Sequence, residues 1–205
     1  AQAHPSRAPR LAGFASTLVR ALDRAAAALA AVNAPLARAG RNLAALLIAA
    51  MVALAVAPIL SRALFDHALD WAEELARATL VWSVLTALPY AFRRGAHVAI
   101  DSFAVALPPR LLLAAAFAIN ALVIWVCAIF FVESLGFFER GLSIVSTTMG
   151  FPVAWIYSIV PASFALLIAV GAELQLRLGR SFVERDPDLL LAGAVPGVKP
   201  GPGEE

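Results

Sequence analysis

Cysteine is nearly absent: Cys127 is the single one in 205 residues, and it lies within an apolar run. One thiol forms neither an intramolecular disulfide nor a thiolate metal site, so it is expected to behave as a small hydrophobe. Charge is scarce as well, since Asp, Glu, Lys and Arg make up 15% of the chain against about 25% in an ordinary soluble domain. Catalytic signatures are missing too: the chain has no Gly-rich phosphate loop, no HExxH, no GxSxG and no CxxC. These absences point away from an enzyme, and no cofactor or metal is expected. The formal charge of +2 and pI near 9.2 do not indicate nucleic acid, because the basic residues are scattered along the chain rather than gathered on one soluble face.

What is abundant is apolar surface. The chain is 61% hydrophobic with a mean hydropathy of +0.83, well above the roughly 45 to 50% of soluble domains. A bilayer is the solvent that suits it. With about 20 residues per span, there is room for four helices plus tails, and no internal repeat of the kind that builds inverted-repeat transporters is found. The expected fold is an all-α membrane protein with four transmembrane helices, an N-terminal amphipathic interfacial helix and a short interfacial helix in a cytoplasmic loop.

The chain opens on Ala1 rather than Met, which points to processing or a truncated start. In 11–33, Phe14, Leu18, Leu22, Leu29 and Val32 recur at helical spacing. Spanning with this segment would put Arg20, Asp23 and Arg24 near the bilayer centre at about 2.5 to 3.5 kcal/mol each. An interfacial helix is favoured, its arginines toward anionic head groups, and a solvated Ala-rich helix is the competing reading. Pro35, Gly40, Arg38 and Arg41 are expected to break it before the first span, 43–60, whose eighteen residues carry no charge. Pro58 is expected to bend or end that span. Asp66, His67 and Asp70 follow in what reads as a solvated juxtamembrane loop rather than a metal site.

The second span, 71–92, begins with the densest charge cluster. Glu73 and Glu74 stand four and three residues before Arg77, so all three can meet on one helix face, and the acidic pair suits the helix N-terminus. The competing reading is that these charges face another subunit. Pro89 interrupts the span near its far end. Arg93, Arg94 and Gly95 close it, followed by His97 and Asp101 in a short amphipathic piece, 98–107. The third span, 111–132, is twenty-two residues without a charge, and its Asn120 suits an interhelical hydrogen bond. The fourth, 152–172, carries Trp155 and Tyr157 as interfacial anchors and Pro161 inside. The organisation expected is thus a segment 1–42, a four-helix domain 43–176 and a partly disordered tail 177–205.

Orientation follows from Lys and Arg. Thirteen of the sixteen fall before the first span, between the second and third, or after the fourth. Arg62, Arg77 and Arg140 fall on the other side. Both termini and the middle loop are therefore expected to be cytoplasmic. A small pump acting alone needs an ionisable group inside the membrane, and the apolar cores of these four spans contain none. The composition suits a scaffold or partner subunit. A stand-alone four-helix transporter or channel, and a membrane assembly factor, are the alternatives.

The run Trp71-Ala72-Glu73-Glu74-Leu75-Ala76-Arg77, then Val81-Trp82, then Arg93-Arg94-Gly95-Ala96-His97-Val98-Ala99-Ile100-Asp101, and Leu107-Pro108, resembles the small DctQ-type membrane subunit of tripartite ATP-independent periplasmic (TRAP) transporters. Thr148 to Pro161 is similar as well. The likeness covers about 43–176. It departs at Leu85-Thr86-Ala87-Leu88-Pro89, where the family often has Gly-Ala, and in the Ala-rich N-terminal helix and Pro-rich tail. The resemblance implies a bacterial inner-membrane protein that pairs with a large elevator-type permease subunit and, transiently, with a periplasmic substrate-binding protein. Uptake of an organic acid would be driven by sodium. It also implies that Glu73, Glu74 and Arg77 lie near the periplasmic side as subunit or binding-protein contacts. Arg93, Arg94, Gly95, His97 and Asp101 would hold the cytoplasmic loop at the head groups.

Overall fold

The computed structural model describes residues 8–67, 69–95, 109–146 and 148–184. Five helices account for most of them: α1 (Ala8–Phe65), α2 (Asp70–Gly95), α3 (Pro109–Leu142), the single turn α4 (Ala154–Tyr157) and α5 (Ile159–Glu184). Four stretches, on α1, on α2, on α3 and on α4 with α5, are long and apolar enough to cross a membrane. The protein is an all-α multi-pass membrane protein. The amphipathic piece expected at 98–107 lies outside the described residues.

The largest departure from expectation is α1. It runs 58 residues without interruption, with Pro35 and Pro58 both inside it, and at about 1.5 Å per residue it is about 87 Å long. The break expected at Pro35 and Gly40 is not there, and Pro58 does not end the helix. Tertiary packing explains why. Ala26, Asn33, Ala37 and Ala44 form a buried row on one face of α1, while Pro35 sits on the exposed side. Contacts along that row outweigh the roughly 3 kcal/mol that an interior proline costs. Gly40 serves contact rather than breakage: a Cβ there would lie 2.5 Å from the carbonyl oxygen of Thr86 on α2. With no Cβ on Gly40 the two helices close on each other, as small residues allow in membranes.

Helix α5 is the centre of the arrangement. It packs against α1, α2 and α3, whereas α3 packs chiefly on α5 and α4. The inward face of α3 repeats every seven residues through Leu113, Asn120, Cys127, Ser134 and Gly141, all buried. A seven-residue repeat keeps one face turned to a partner that crosses at a shallow angle. Side chains on this row shrink toward Gly141, where a Cβ would stand 2.9 Å from Ala154 Cα. Asn120 donates through Nδ2 to Gly171 O at 3.0 Å and to Gln175 Oε1, the interhelical bond its position suggested. Cys127 is a buried free thiol.

Pro161 does not lie in a helix interior. The fourth apolar stretch is divided at Ser158, and Pro161 falls in the first turn of α5, where a missing N–H leaves no bond unmade. Trp82 Nε1 on α2 donates to Ile156 O beside that division at 2.9 Å, so a neighbouring helix supplies the carbonyl's partner.

Candidate functional site

Charge collects at the two ends of the bundle, and each end uses it differently. At the end holding the α1–α2 and α3–α4 connections, Asp66 closes α1 in the left-handed conformation (φ 51°) with its N–H bonded to Arg62 O. Ser61 Oγ donates to His67 O at 2.9 Å, fixing the turn. Among the described residues, no three His, Cys, Asp or Glu side chains converge as a metal site.

The acidic cluster at the start of α2 is divided rather than shared. Glu73 takes Arg77 Nη2 at 2.7 Å in a pair whose side chains are 75% and 72% exposed for Arg77 and Glu73. Glu74 turns away to the α3–α4 loop, where its Oε2 accepts from Ser146 Oγ at 2.8 Å and from Thr148 Oγ1. That loop is tightly folded. Ser146 N–H bonds to Phe151 O and Val153 N–H to Ile144 O, Met149 N–H bonds to Ser146 Oγ, and Gly150 takes the turn at φ 72°, which glycine adopts without strain. Glu74 thereby ties α2 to a loop more than seventy residues away. Glu73 and Arg77, by contrast, line an open groove of about 810 Å³ between α1 and α2, walled by Met51, Leu54, Pro58 and Ile59.

At the opposite end the chain buries a carboxylate. Glu173 on α5 is 3% exposed. Its Oε1 accepts from Arg93 Nη2 at 3.0 Å and Arg177 Nη2 at 2.8 Å, and its Oε2 from Asn33 Nδ2 at 3.1 Å. Asn33 donates also to Ala169 O. One carboxylate thus joins α1, α2 and α5. Farther along, Arg180 and Asp23 pair at 2.8 Å, extending the α1–α5 contact. Sequence reasoning missed Glu173 because the fourth span was closed at residue 172. Two signals were available: Glu173 stands four residues before Arg177, and it continues the helical row of Ser163, Leu167 and Val170, all of them buried.

Of the residues expected to anchor the loop after α2, Arg93 is turned inward to Glu173. Arg94 is exposed and lies 5.3 Å from the centre of the Tyr90 ring. Gly95 is the last residue of α2. His97 and Asp101 lie outside the described residues.

The arrangement offers ion pairing, hydrogen bonding and apolar packing, which position helices. No curated protein matches the chain closely enough to count as a relative. The family model described as the DctQ component of tripartite ATP-independent periplasmic transporters matches residues 51–180, more than half of the chain. The matched part begins within α1 and includes Glu73, Glu74 and Arg77 at one end and Arg93, Glu173 and Arg177 at the other, while Asp23, Asn33, Arg38 and Arg41 precede it. The chain therefore belongs to the DctQ family and is a small membrane component of a TRAP transporter, not an enzyme.

Proposed function

We propose that this DctQ component is the stationary scaffold of its transporter. It holds a large elevator-type permease subunit in the membrane and helps dock a periplasmic substrate-binding protein during sodium-driven uptake of an organic acid. The observation that carries the reading is where the polar groups between the helices go. Ser163 on α5 donates to Leu85 O on α2, Asn120 on α3 donates to Gly171 O on α5, and Glu173 on α5 accepts from Asn33 on α1 and Arg93 on α2, while Ser83 and Thr86 donate to carbonyls of their own helix. The cross-helix bonds lock the helices together. Large apolar side chains such as Leu46, Ile59, Trp125 and Val132 meanwhile point outward, each more than 60% exposed, which suits lipid or another membrane subunit.

In this reading the termini are cytoplasmic, the membrane is the bacterial inner membrane, and the end with Glu73, Glu74 and Arg77 faces the periplasm. Glu73 and Arg77, on the wall of an apolar groove, are its contact residues. An elevator needs one part to stay still, and a bundle tied at both ends supplies that.

The test is co-purification with a large TRAP permease subunit, together with uptake in proteoliposomes. Reversing charge at Glu73, with Glu74 left to hold its loop, is expected to weaken assembly or uptake more than His67→Ala. Unchanged assembly and uptake in that variant would count against the contact surface. Organic-acid flux through this chain alone would overturn the scaffold and favour a stand-alone transporter.

A further inference from the structure

The end of the bundle that buries Glu173 also carries a concavity of about 320 Å³ into which five arginines converge: Arg38, Arg41, Arg93, Arg94 and Arg177. They come from three helices that adjoin there, α1, α2 and α5. Among the described residues lining it, Glu173 is the one carboxylate. That carboxylate is already shared by Arg93 and Arg177. Arg38, Arg41 and Arg94 are left with neutral partners: Arg38 donates to Ala34 O, Arg41 to Asn42 Oδ1 and to Tyr90 OH at 3.0 Å, and Arg94 lies over the Tyr90 ring.

Tyr90 organises the surplus. The guanidinium carbons of Arg41 and Arg94 stand 5.0 and 5.3 Å from its ring centre, so two cations are held beside one aromatic ring with no described carboxylate between them. Like charges held this close repel unless an anion screens them. The depth of the site limits what that anion is. Arg41 lies just before the charge-free run of α1, and Arg93 and Arg94 lie just after the apolar part of α2. The cavity therefore opens at the level where a bilayer presents its phosphates, whichever leaflet it faces. Basic concavities between transmembrane helices at this level suit the head groups of acidic lipids, and arginine's planar fork matches phosphate oxygens two at a time.

We propose that this cavity binds the phosphate of an anionic phospholipid, with Arg41 and Arg94 as its principal ligands, Arg38 at its rim and Tyr90 as the platform that orders them. Glu173 holds Arg93 and Arg177 back as the inner wall and does not compete for the outer three. The lipid then serves as a bridge between α1 and α2 at the end where their charges would otherwise repel.

The test uses the full chain in mild detergent with a mixture of phosphatidylglycerol, cardiolipin and phosphatidylcholine, reading retained lipid by native mass spectrometry. The wild type is expected to retain anionic lipid over phosphatidylcholine. The double variant R41Q/R94Q is expected to lose about tenfold of that preference, and R140Q at the other end to keep it. Equal retention in R41Q/R94Q and wild type, or an equal loss in R140Q, would overturn the proposal. Inorganic phosphate and glycerol 3-phosphate, titrated at millimolar concentration, are expected to leave the lipid bound. Displacement by either would reassign the cavity to a soluble anion. Should the double variant not fold, the wild type decides: high salt is expected to strip phosphatidylglycerol and leave phosphatidylcholine unchanged, and salt-independent retention would sink the idea.

Discussion

The two ends of the bundle solve one problem, fastening helices at a membrane surface, in opposite ways. At the α1–α2 turn and α3–α4 loop, Glu73 and Arg77 pair in the open, and Glu74 binds a loop through two hydroxyls. At the other end, Glu173 is buried among three helices and held by Asn33, Arg93 and Arg177. An exposed ion pair contributes little to stability because water solvates both partners well. A buried carboxylate with its partners in place is costly to disturb, since removing one member strands the others. On the proposed scaffold reading, the difference is a division of labour: the end with Glu173 fixes the fold, and the end with Glu73 is left open to a partner.

Glu173→Ala tests that division most severely. It leaves Arg93 and Arg177 without their carboxylate, and because both arginines keep partial access to water the expected loss is on the order of 2 to 4 kcal/mol. Thermal or denaturant unfolding in detergent measures it, and Glu173→Gln should fall between wild type and alanine. Next comes Gly40→Ala. Its Cβ would sit 2.5 Å from Thr86 O, so α1 and α2 must part, at a cost of about 1 to 3 kcal/mol. Wild-type stability in that variant would mean that the helices are not in contact there.

A smaller effect is expected from Glu74→Gln. It should raise amide exchange across 144–153 severalfold, as the loop loses its tie to α2, with the rest of the bundle unchanged. Exchange as slow as in wild type would show that the loop's own backbone bonds suffice. Smallest of all is Glu73→Gln, expected to change stability by about 0.5 kcal/mol or less. A large drop in stability there would erase the contrast between the two ends.

How far the sequence revealed this depends on the range of each interaction. The four apolar runs were legible because bilayer thickness acts on each helix separately, and length with hydropathy suffices to see it. Asn120 was legible for a related reason: a single amide in an apolar span has few ways to be satisfied except by another helix. Pro35 and Gly40 misled, since both are local punctuation marks whose meaning was set by distant packing on α2 and α5. The Glu73–Arg77 pair was visible from four-residue spacing, but Glu74 went to hydroxyls on a loop that no local pattern connects to α2. Glu173 stayed hidden because hydropathy marks where apolar residues stop, whereas the helix and its buried face continue to residue 184.

The uninterrupted α1 has a mechanical consequence. Among the residues of α1 whose burial is described, 17–65, the buried ones are Ala26, Asn33, Ala37 and Ala44, around the middle of a helix that runs from Ala8 to Phe65. A rod of about 87 Å gripped near its midpoint is a lever, and a tilt of about 5° swings each tip by about 4 Å in opposite directions. Whatever pulls on the N-terminal arm is felt at the wall of the groove that Glu73 and Arg77 line. A break at Pro35 would have disconnected the two.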